Sequence, residues 1–429
     1  MTRPPTTRLV MKFGGTSMGD LERIRRAARI VAAEAAAGKQ VAVVVSAMAG
    51  KTNELVAWTD GAGRPSPKLA EQGIEPSDDE YDIVVASGEQ VTAGLLALTL
   101  RNMGLNARSW MGWQIPILTD DAHGRARIED VPGEVLGAAM DKGEIAVVPG
   151  FQGVSRSGRI TTLGRGGSDT SAVAVAAALE CPCDIYTDVD GVYTTDPRIE
   201  SKARRLEKIS YEEMLEMASL GAKVLQTRSV ELAMAKRVPV RVLSSFIEPD
   251  ENGVLPAKSG TLICDEEEIV EKRIVSGVTM SRDEARITLL GLSDRVEAPA
   301  DVFTRLAEAN VNVDMIVQSQ ARSEGAVNLT FTTGRRDAAR AAELMRAAQP
   351  QLGFEELRVD EDVAKVSVVG VGMRSHAGVA QTMFRALADK GVKFQAISTS
   401  EIKISVLIDA AYAELAVRAL HAAYGLEEV

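Results

Sequence analysis

Between residue 8 and about residue 245, short runs of β-branched residues alternate with long alanine-rich stretches, and this alternation restricts the chain to few folds. LVMKF at 9–13, VAVVVS at 41–46 and IAVVPG at 145–150 have the length and composition of buried strands. The stretches between them, one over Asp20–Ala37 and another from about Val84, keep helical spacing. Strands separated by helices predict an α/β fold, a mostly parallel sheet sandwiched by helices. Asp20 is placed to cap the first helix and Gly38 to end it, with Leu21, Ile24, Ala28 and Val31 on its inner face.

The chain has 429 residues, enough for several domains, each with its own core. A net charge of −11, with basic residues interspersed among acids, speaks against a nucleic-acid-binding surface. An anionic substrate must therefore be met by a local pocket. MTRPPTTR at the start lacks a signal-peptide core, and the apolar run at 41–49 is far short of a membrane span. A cytoplasmic protein with no membrane partner is expected. Cys181, Cys183 and Cys264 cannot form a disulfide framework and read as free thiols. His123, His376 and His421 are scattered, which supports no histidine metal site, and no metal-ligating set is expected.

Two breaks divide the sequence. Gly61–Glu80 is rich in glycine, proline and acid and reads as a surface excursion that could cover a site; Ile247–Glu271 reads as a linker. Beyond it the chain repeats itself: ARITLLG at 285–291 answers AKVSVVG at 364–370, and FTRLAEANVNVDMI at 303 answers FRALADKGVKFQAI at 384. AVNLTFT at 326 and EIKISVLI at 401 close the two copies. The expected domains are 1–247, a linker at 248–272, and two α+β modules at 273–350 and 351–429. The repeats could form a binding site or serve as scaffold.

Gly158–Leu179, GRITTLGRGGSDTSAVAVAAAL, joins a glycine-rich turn carrying Arg165 and Asp169 to a helix-forming run. Gly164, Gly166 and Gly167 allow positive φ and close backbone approach, and the helix's first N–H groups can hold an anion. An ordinary strand-to-helix turn remains the alternative. Lys12 stands at the end of the first strand, before Gly14 and Gly15, at the sheet edge where ligands bind in open α/β folds. In isolation, KFGG also fits a solvated lysine. SAMAGKT at 46–52 resembles a Walker loop, but Val45 occupies the position of its first glycine. Ser46 and Thr52 are read instead as hydroxyl donors at the same edge. Glu89, expected near a helix start, is either a helix-start charge or a seat for an ammonium group.

KFGGTS at 12, SGE at 87, GFQG at 150, TTLGRGGSDTSA at 161, TDVDGVYTTDPR at 187 and GAKVLQTRSVELA at 221 together resemble the amino-acid kinase family, most closely its aspartate kinases. The terminal repeats look like paired ACT modules, small regulatory domains with a ferredoxin-like fold. The resemblance implies transfer of the ATP γ-phosphate to the side-chain carboxylate of L-aspartate, with ATP and Mg2+ as cofactors. It implies Lys12 and Asp169 as the catalytic pair. Arg165 would clamp a substrate carboxylate, Glu89 would hold the ammonium, and Ser46, Thr52, Gly166 and Ser168 would complete the pocket. ATP would lie over Lys12, Gly14 and Gly15, with Thr187, Asp188, Tyr193, Arg198 and Lys223 around it. Lysine, threonine or both would act as inhibitor through Asp294, Gln318, Ser398, Thr399, Ser400 and Glu401. A homo-oligomer, dimer or tetramer, would form through the modules. Two departures bear on the effector: Val296-Glu297 replaces a usual Pro-Gly turn, and Ala377 replaces a usual proline. A kinase for glutamate or acetylglutamate, or an inactive amino-acid sensor, are the other readings.

Overall fold

The structure, a computed structural model, describes residues 8–63, 78–221, 224–257, 259–269, 273–321 and 325–428. They form two compact units. The first takes its residues from within 1–192, 205–218 and 223–270, the second from within 193–204, 219–222 and 271–429.

The first unit contains strands β1 (Arg8–Phe13), β2 (Gln40–Val45), β3 (Ala107–Ser109), β4 (Leu118–Thr119), β5 (Ile128–Asp130), β6 (Ile145–Pro149), β7 (Gln152–Ser155), β8 (Ile160–Thr162), β9 (Cys183–Thr187), β10 (Lys208–Ser210), β11 (Val240–Ser244) and β12 (Thr261–Cys264). Its helices are α1 (Leu21–Ala36), α2 (Lys51–Gly63), α3 (Asp78–Asn102), α4 (Glu134–Met140), α5 (Gly167–Ala178), α6 (Tyr211–Ser219, whose last residue belongs to the second unit) and α7 (Thr227–Lys236). Eight strands make the main sheet in the order β10-β12-β11-β9-β1-β2-β6-β3. Every neighbouring pair is parallel except β11 with β12. A smaller sheet, β5-β4-β7-β8, stands beside it and has no counterpart in the expected layout.

The first helix starts where its cap dictates, with the Asp20 carboxylate accepting from Arg23 N at 2.9 Å, and Gly38 follows it at φ +85°. Ile24, Ala28 and Val31 are buried, whereas Leu21, the first residue of the helix, is half exposed. The excursion at Gly61–Glu80 falls largely outside the described residues. Two corrections concern position. Helix α3 begins at Asp78, where Asp78, Asp79 and Glu80 fill its first turn, so Glu89 lies mid-helix and not near the start. The expected linker contributes β12, because Thr261, Ile263 and Cys264 are buried when they join the sheet. Helix α3 has the length and apolarity of a membrane span, yet half of that window is buried, and Asp82 and Glu89 sit inside it.

The second unit holds β13 (Gly277–Ser281), β14 (Ala285–Ser293), β15 (Ile316–Gln320), β16 (Ala326–Thr333), β17 (Glu356–Asp360), β18 (Val363–Val369), β19 (Phe394–Thr399) and β20 (Lys403–Asp409), with helices α8 (Ala298–Glu308), α9 (Arg335–Leu352), α10 (Val379–Asp389) and α11 (Ala413–Ala423). Two antiparallel four-stranded sheets result, β15-β16-β14-β17 and β13-β18-β20-β19. The repeat is reproduced strand for strand, β14, β15 and β16 matching β18, β19 and β20. The sheets do not divide at 350/351, however. Strand β17 pairs with β14 and brings Leu357 and Val359 to the first module's core, while β13 pairs with β18 and buries Val278 in the second. Each repeat copy supplies three strands, and its apolar face is completed by a fourth from outside the copy.

Candidate active site

Five adjacent parallel strands end side by side, and their closing hydrogen bonds align the loops that follow. Ser46 N donates to Phe13 O at 3.1 Å, Gly150 N to Val45 O at 2.9 Å, Gly14 N to Tyr186 O at 3.3 Å and Ser245 N to Thr187 O at 2.8 Å. Lys12, Ser46, Gly150, Thr187 and Ser245 therefore share one carboxyl-terminal edge, where an open α/β sheet holds its ligands.

Lys12 is at the centre of that edge. Its ammonium lies 2.5 Å from the Asp169 carboxylate, and the two side chains are only 10% and 12% exposed. Asp169 comes from the first turn of α5, which packs on β1. A Cβ at Gly14 would stand 3.3 Å from the Lys12 ammonium, so the glycine keeps space open at the charge.

The glycine turn before α5 behaves as its residues dictate, with one correction. Gly164 and Gly166 adopt φ +75°, but Gly167 does not; it is the first residue of the helix. Glycine is needed there for space, since a Cβ would come 2.9 Å from Leu163 Cβ. Gly166 is the N-cap of α5 and offers no capping side chain; Gly167 N donates to Gly164 O at 3.0 Å, and the N–H groups of Ser168 and Asp169 are left for a ligand. Arg165 is exposed on this turn, and among the described residues its guanidinium has no hydrogen bond or ion pair. Ser168 is buried, its Cβ occupying the space that a side chain at Gly150 would need.

Glu89 is buried at 3% exposure; one carboxylate oxygen accepts from Ala47 N at 3.0 Å and the other has no partner. Burial pushes its pKa up to about 7 against the pull of the Ala47 N–H. A half-satisfied buried carboxylate is a ready seat for a cation. Ala47 directly follows Ser46, and a Cβ on Gly88 would stand 2.9 Å from that of Ala47, which binds α3 closely to the Ser46 loop. Thr52 is half-buried in the first turn of α2, and the Ser46–Thr52 segment carries no Walker turn.

The remaining expected residues divide. Thr187 closes β9 and donates its hydroxyl to the exposed Asp188 at 3.2 Å. Tyr193 and Arg198 belong to the second unit, where Arg198 is paired with Asp196 at 2.7 Å. Their segment is held there by Val278 N donating to Thr194 O at 2.8 Å and by Thr194 Oγ1 against His421 Nε2 at 2.9 Å. Lys223 lies outside the described residues. Asp294 and Gln318 are exposed on the first module and Thr399–Glu401 on the second, where Ser398 is half-buried. Met315 and Val317 pack with Ala396, which brings β15 and β19 together. Val296 is fully exposed, Pro299 instead opens α8, and Gly378 keeps the left-handed turn after Ala377 at φ +97°.

Sequence reasoning missed Asp82, His123, Thr162 and Arg228, which surround the base of the glycine turn. No single motif joins them; Thr162 lies within TTLGRGGSDTSA and Arg228 within GAKVLQTRSVELA, but nothing local relates either to Asp82 or His123.

The model of the amino acid kinase family matches residues 7–244, and that of an ACT domain matches residues 366–424. The aspartokinase of Pseudomonas aeruginosa is 50% identical over 423 residues, covering 98% of this chain and 98% of its own. This chain belongs to the amino acid kinase family, among the aspartokinases. Aspartokinase 2 of Bacillus subtilis is 44% identical over 421 residues, with 98% of each chain covered. Escherichia coli aspartokinase III, solved with aspartate and ADP in its R-state, has a TM-score of 0.76 at 29% identity, covering 97% of this chain and 99% of that one. Its T-state, solved with lysine and aspartate, has a TM-score of 0.73 at 28% identity over the same shares. The family's two-part architecture thus extends along nearly the whole chain.

Proposed function

We propose that this chain transfers the γ-phosphoryl group of ATP to the side-chain carboxylate of L-aspartate, releasing 4-phospho-L-aspartate and ADP. The observation that carries this reading is the Lys12–Asp169 pair at the sheet edge, four residues from the unpaired Arg165 on the same turn. The acceptor carboxylate has a pKa of about 3.9 in its free form and is ionised at neutral pH. It needs no general base. The difficulty is to bring one anion to another, and the chain meets it with fixed charge and position. Lys12 offsets the charge of the transferring group, and Asp169 orients the lysine. Backbone N–H groups of Gly15, Ser168 and Asp169 donate to phosphate oxygens. Arg165 clamps the substrate's α-carboxylate by its two-pronged geometry. Glu89 receives the ammonium, its unpartnered oxygen being the acceptor for it. Ser46, Thr52 and Ser168 line the pocket, and Thr187, Asp188 and Lys223 serve the nucleotide.

Among the described residues no three His, Cys, Asp or Glu side chains gather into a metal cage, and Asp169 is committed to Lys12. Mg2+ fits this site as a companion of the nucleotide, held by phosphates and water and offsetting their charge.

The paired modules are read as the seat of an inhibiting amino acid, lysine or threonine, at Asp294, Gln318 and Ser398–Glu401. The lysine-bound relative at 28% identity supports this. The modules also carry assembly into a dimer or tetramer. Three buried free cysteines fit a reducing cytoplasm.

A coupled ADP-release assay with aspartate, glutamate and acetylglutamate, repeated with added lysine and threonine, tests the assignment. Turnover is expected on aspartate. Activity confined to glutamate or acetylglutamate would sink it, and inhibition by neither amino acid would remove the proposed effectors.

A further inference from the structure

The turn that carries Arg165 is held by a polar network around its base. Asp82, in α3, is completely buried. One of its carboxylate oxygens accepts from Thr162 Oγ1 and from Gly124 N at 3.0 Å. The other accepts from Gly124 N at 3.1 Å and contacts His123 Nδ1 at 2.7 Å. Thr162 is the last residue of β8, and Leu163 begins the turn. From the other side Arg228, in α7, donates from one guanidinium nitrogen to Leu163 O at 2.7 Å and from another to Ala126 O at 2.7 Å. The two clamps are joined. Asp82 holds His123 and Gly124, Arg228 holds Ala126, and Ala126 N donates to Thr162 O at 2.9 Å. Gly164 packs on this support, since a Cβ there would stand 3.2 Å from Gly124 O.

We propose that Asp82 and Arg228 are a pair of positioning residues that fix the backbone of the Arg165 turn and so set the affinity for the substrate's carboxylate. Arg165 has no side-chain partner among the described residues, so the placement of its charge depends on the turn beneath it. A buried carboxylate with three donors and a guanidinium spanning two carbonyls are each directional and hard to rearrange. Neither side chain touches the substrate in this scheme. Both act through Leu163 and the 122–126 turn. The inference rests on Arg165 as the carboxylate clamp.

The test is steady-state kinetics on the full chain for Asp82→Asn, Arg228→Met and the double variant, with both substrates varied. A carboxylate clamp acts in ground state and transition state alike, so its misplacement appears in KM. Each single variant should raise KM for aspartate roughly tenfold with kcat and KM for ATP within about threefold. The double variant should fall short of the product of the two, because both residues hold the same turn. If Asp82→Asn does not fold, Thr162→Val removes one of its donors and should raise KM for aspartate in the same selective way. Unchanged KM for aspartate in folded variants, or equal rises for both substrates, would overturn the positioning role while leaving the activity in place. A wild-type chain that turns over no aspartate would overturn both.

Discussion

Lys12 and Asp169 meet although one sits at the end of the first strand and the other in a helix far along the chain. Both were legible in the sequence, because each lies in a short motif where glycine and charge stand next to a strand end. Lys12→Ala and Asp169→Ala should each lower kcat by about a hundredfold or more; steady-state assays on folded variants check this, and near-normal turnover would contradict it. Glu89 was legible as a residue but not in its environment, since the start of its helix depends on an acidic stretch more than two turns upstream. Its folded pKa of about 7 lies above its ordinary value of 4.5, so the native state binds the extra proton between those values. Stability contributed by this group therefore falls as pH rises from about 4.5 to about 7 and then levels off. Binding should run the other way, because an ammonium favours the ionised carboxylate. KM for aspartate should fall as pH rises through about 7, and Glu89→Gln should raise KM and remove that response. A pH profile identical in wild type and variant would exclude Glu89 from the site.

The turn into α5 shows how an element can combine two requirements at adjacent positions. Gly166 needs both a left-handed backbone and the absence of a side chain, since a Cβ would lie 2.1 Å from Gln226 Cγ. Gly158 has φ +81° and open space around it, so it isolates the backbone requirement. Gly158→Ala should cost about 1–2 kcal/mol. Gly166→Ala should cost more by thermal or denaturant unfolding and should also raise KM for aspartate; equal losses for the two would remove the packing argument. The glycines were legible because positive φ and phosphate-like turns leave a compositional trace. The support beneath them was not, since Asp82, His123, Thr162 and Arg228 come from separate elements and are related only through the folded chain. The unit to which 193–204 belongs was hidden for a related reason: the segment continues the β9 loop in sequence, yet its hydrogen bonds place it in the second unit.

In the whole molecule, the internal repeat disclosed the two modules but not their exchange of strands, because β13 and β17 lie outside the parts that repeat. A buried cation ties those modules together. Lys365, on β18, lies 2.6 Å from Glu284 and also contacts Asp314 of the first module. Burial pulls the lysine's pKa down, but Glu284 and Asp314 outweigh it and hold the ammonium above its ordinary value of 10.5. The stabilisation is therefore present below pH 10.5 and is lost as pH rises through the folded value. Lys365→Met leaves the Glu284 carboxylate buried and unpaired, at a cost of about 3–5 kcal/mol. Adding Glu284→Gln should recover part of it in thermal unfolding; a single variant as stable as wild type would show that the cation does not join the modules. The central claim concerns which oxygen receives the phosphoryl group, and trapping the product with hydroxylamine tests it most directly. Incubation with ATP, Mg2+ and L-aspartate should yield the 4-hydroxamate in step with ADP, and Lys12→Ala should yield almost none. A 1-hydroxamate, or ADP released without any hydroxamate, would contradict the account.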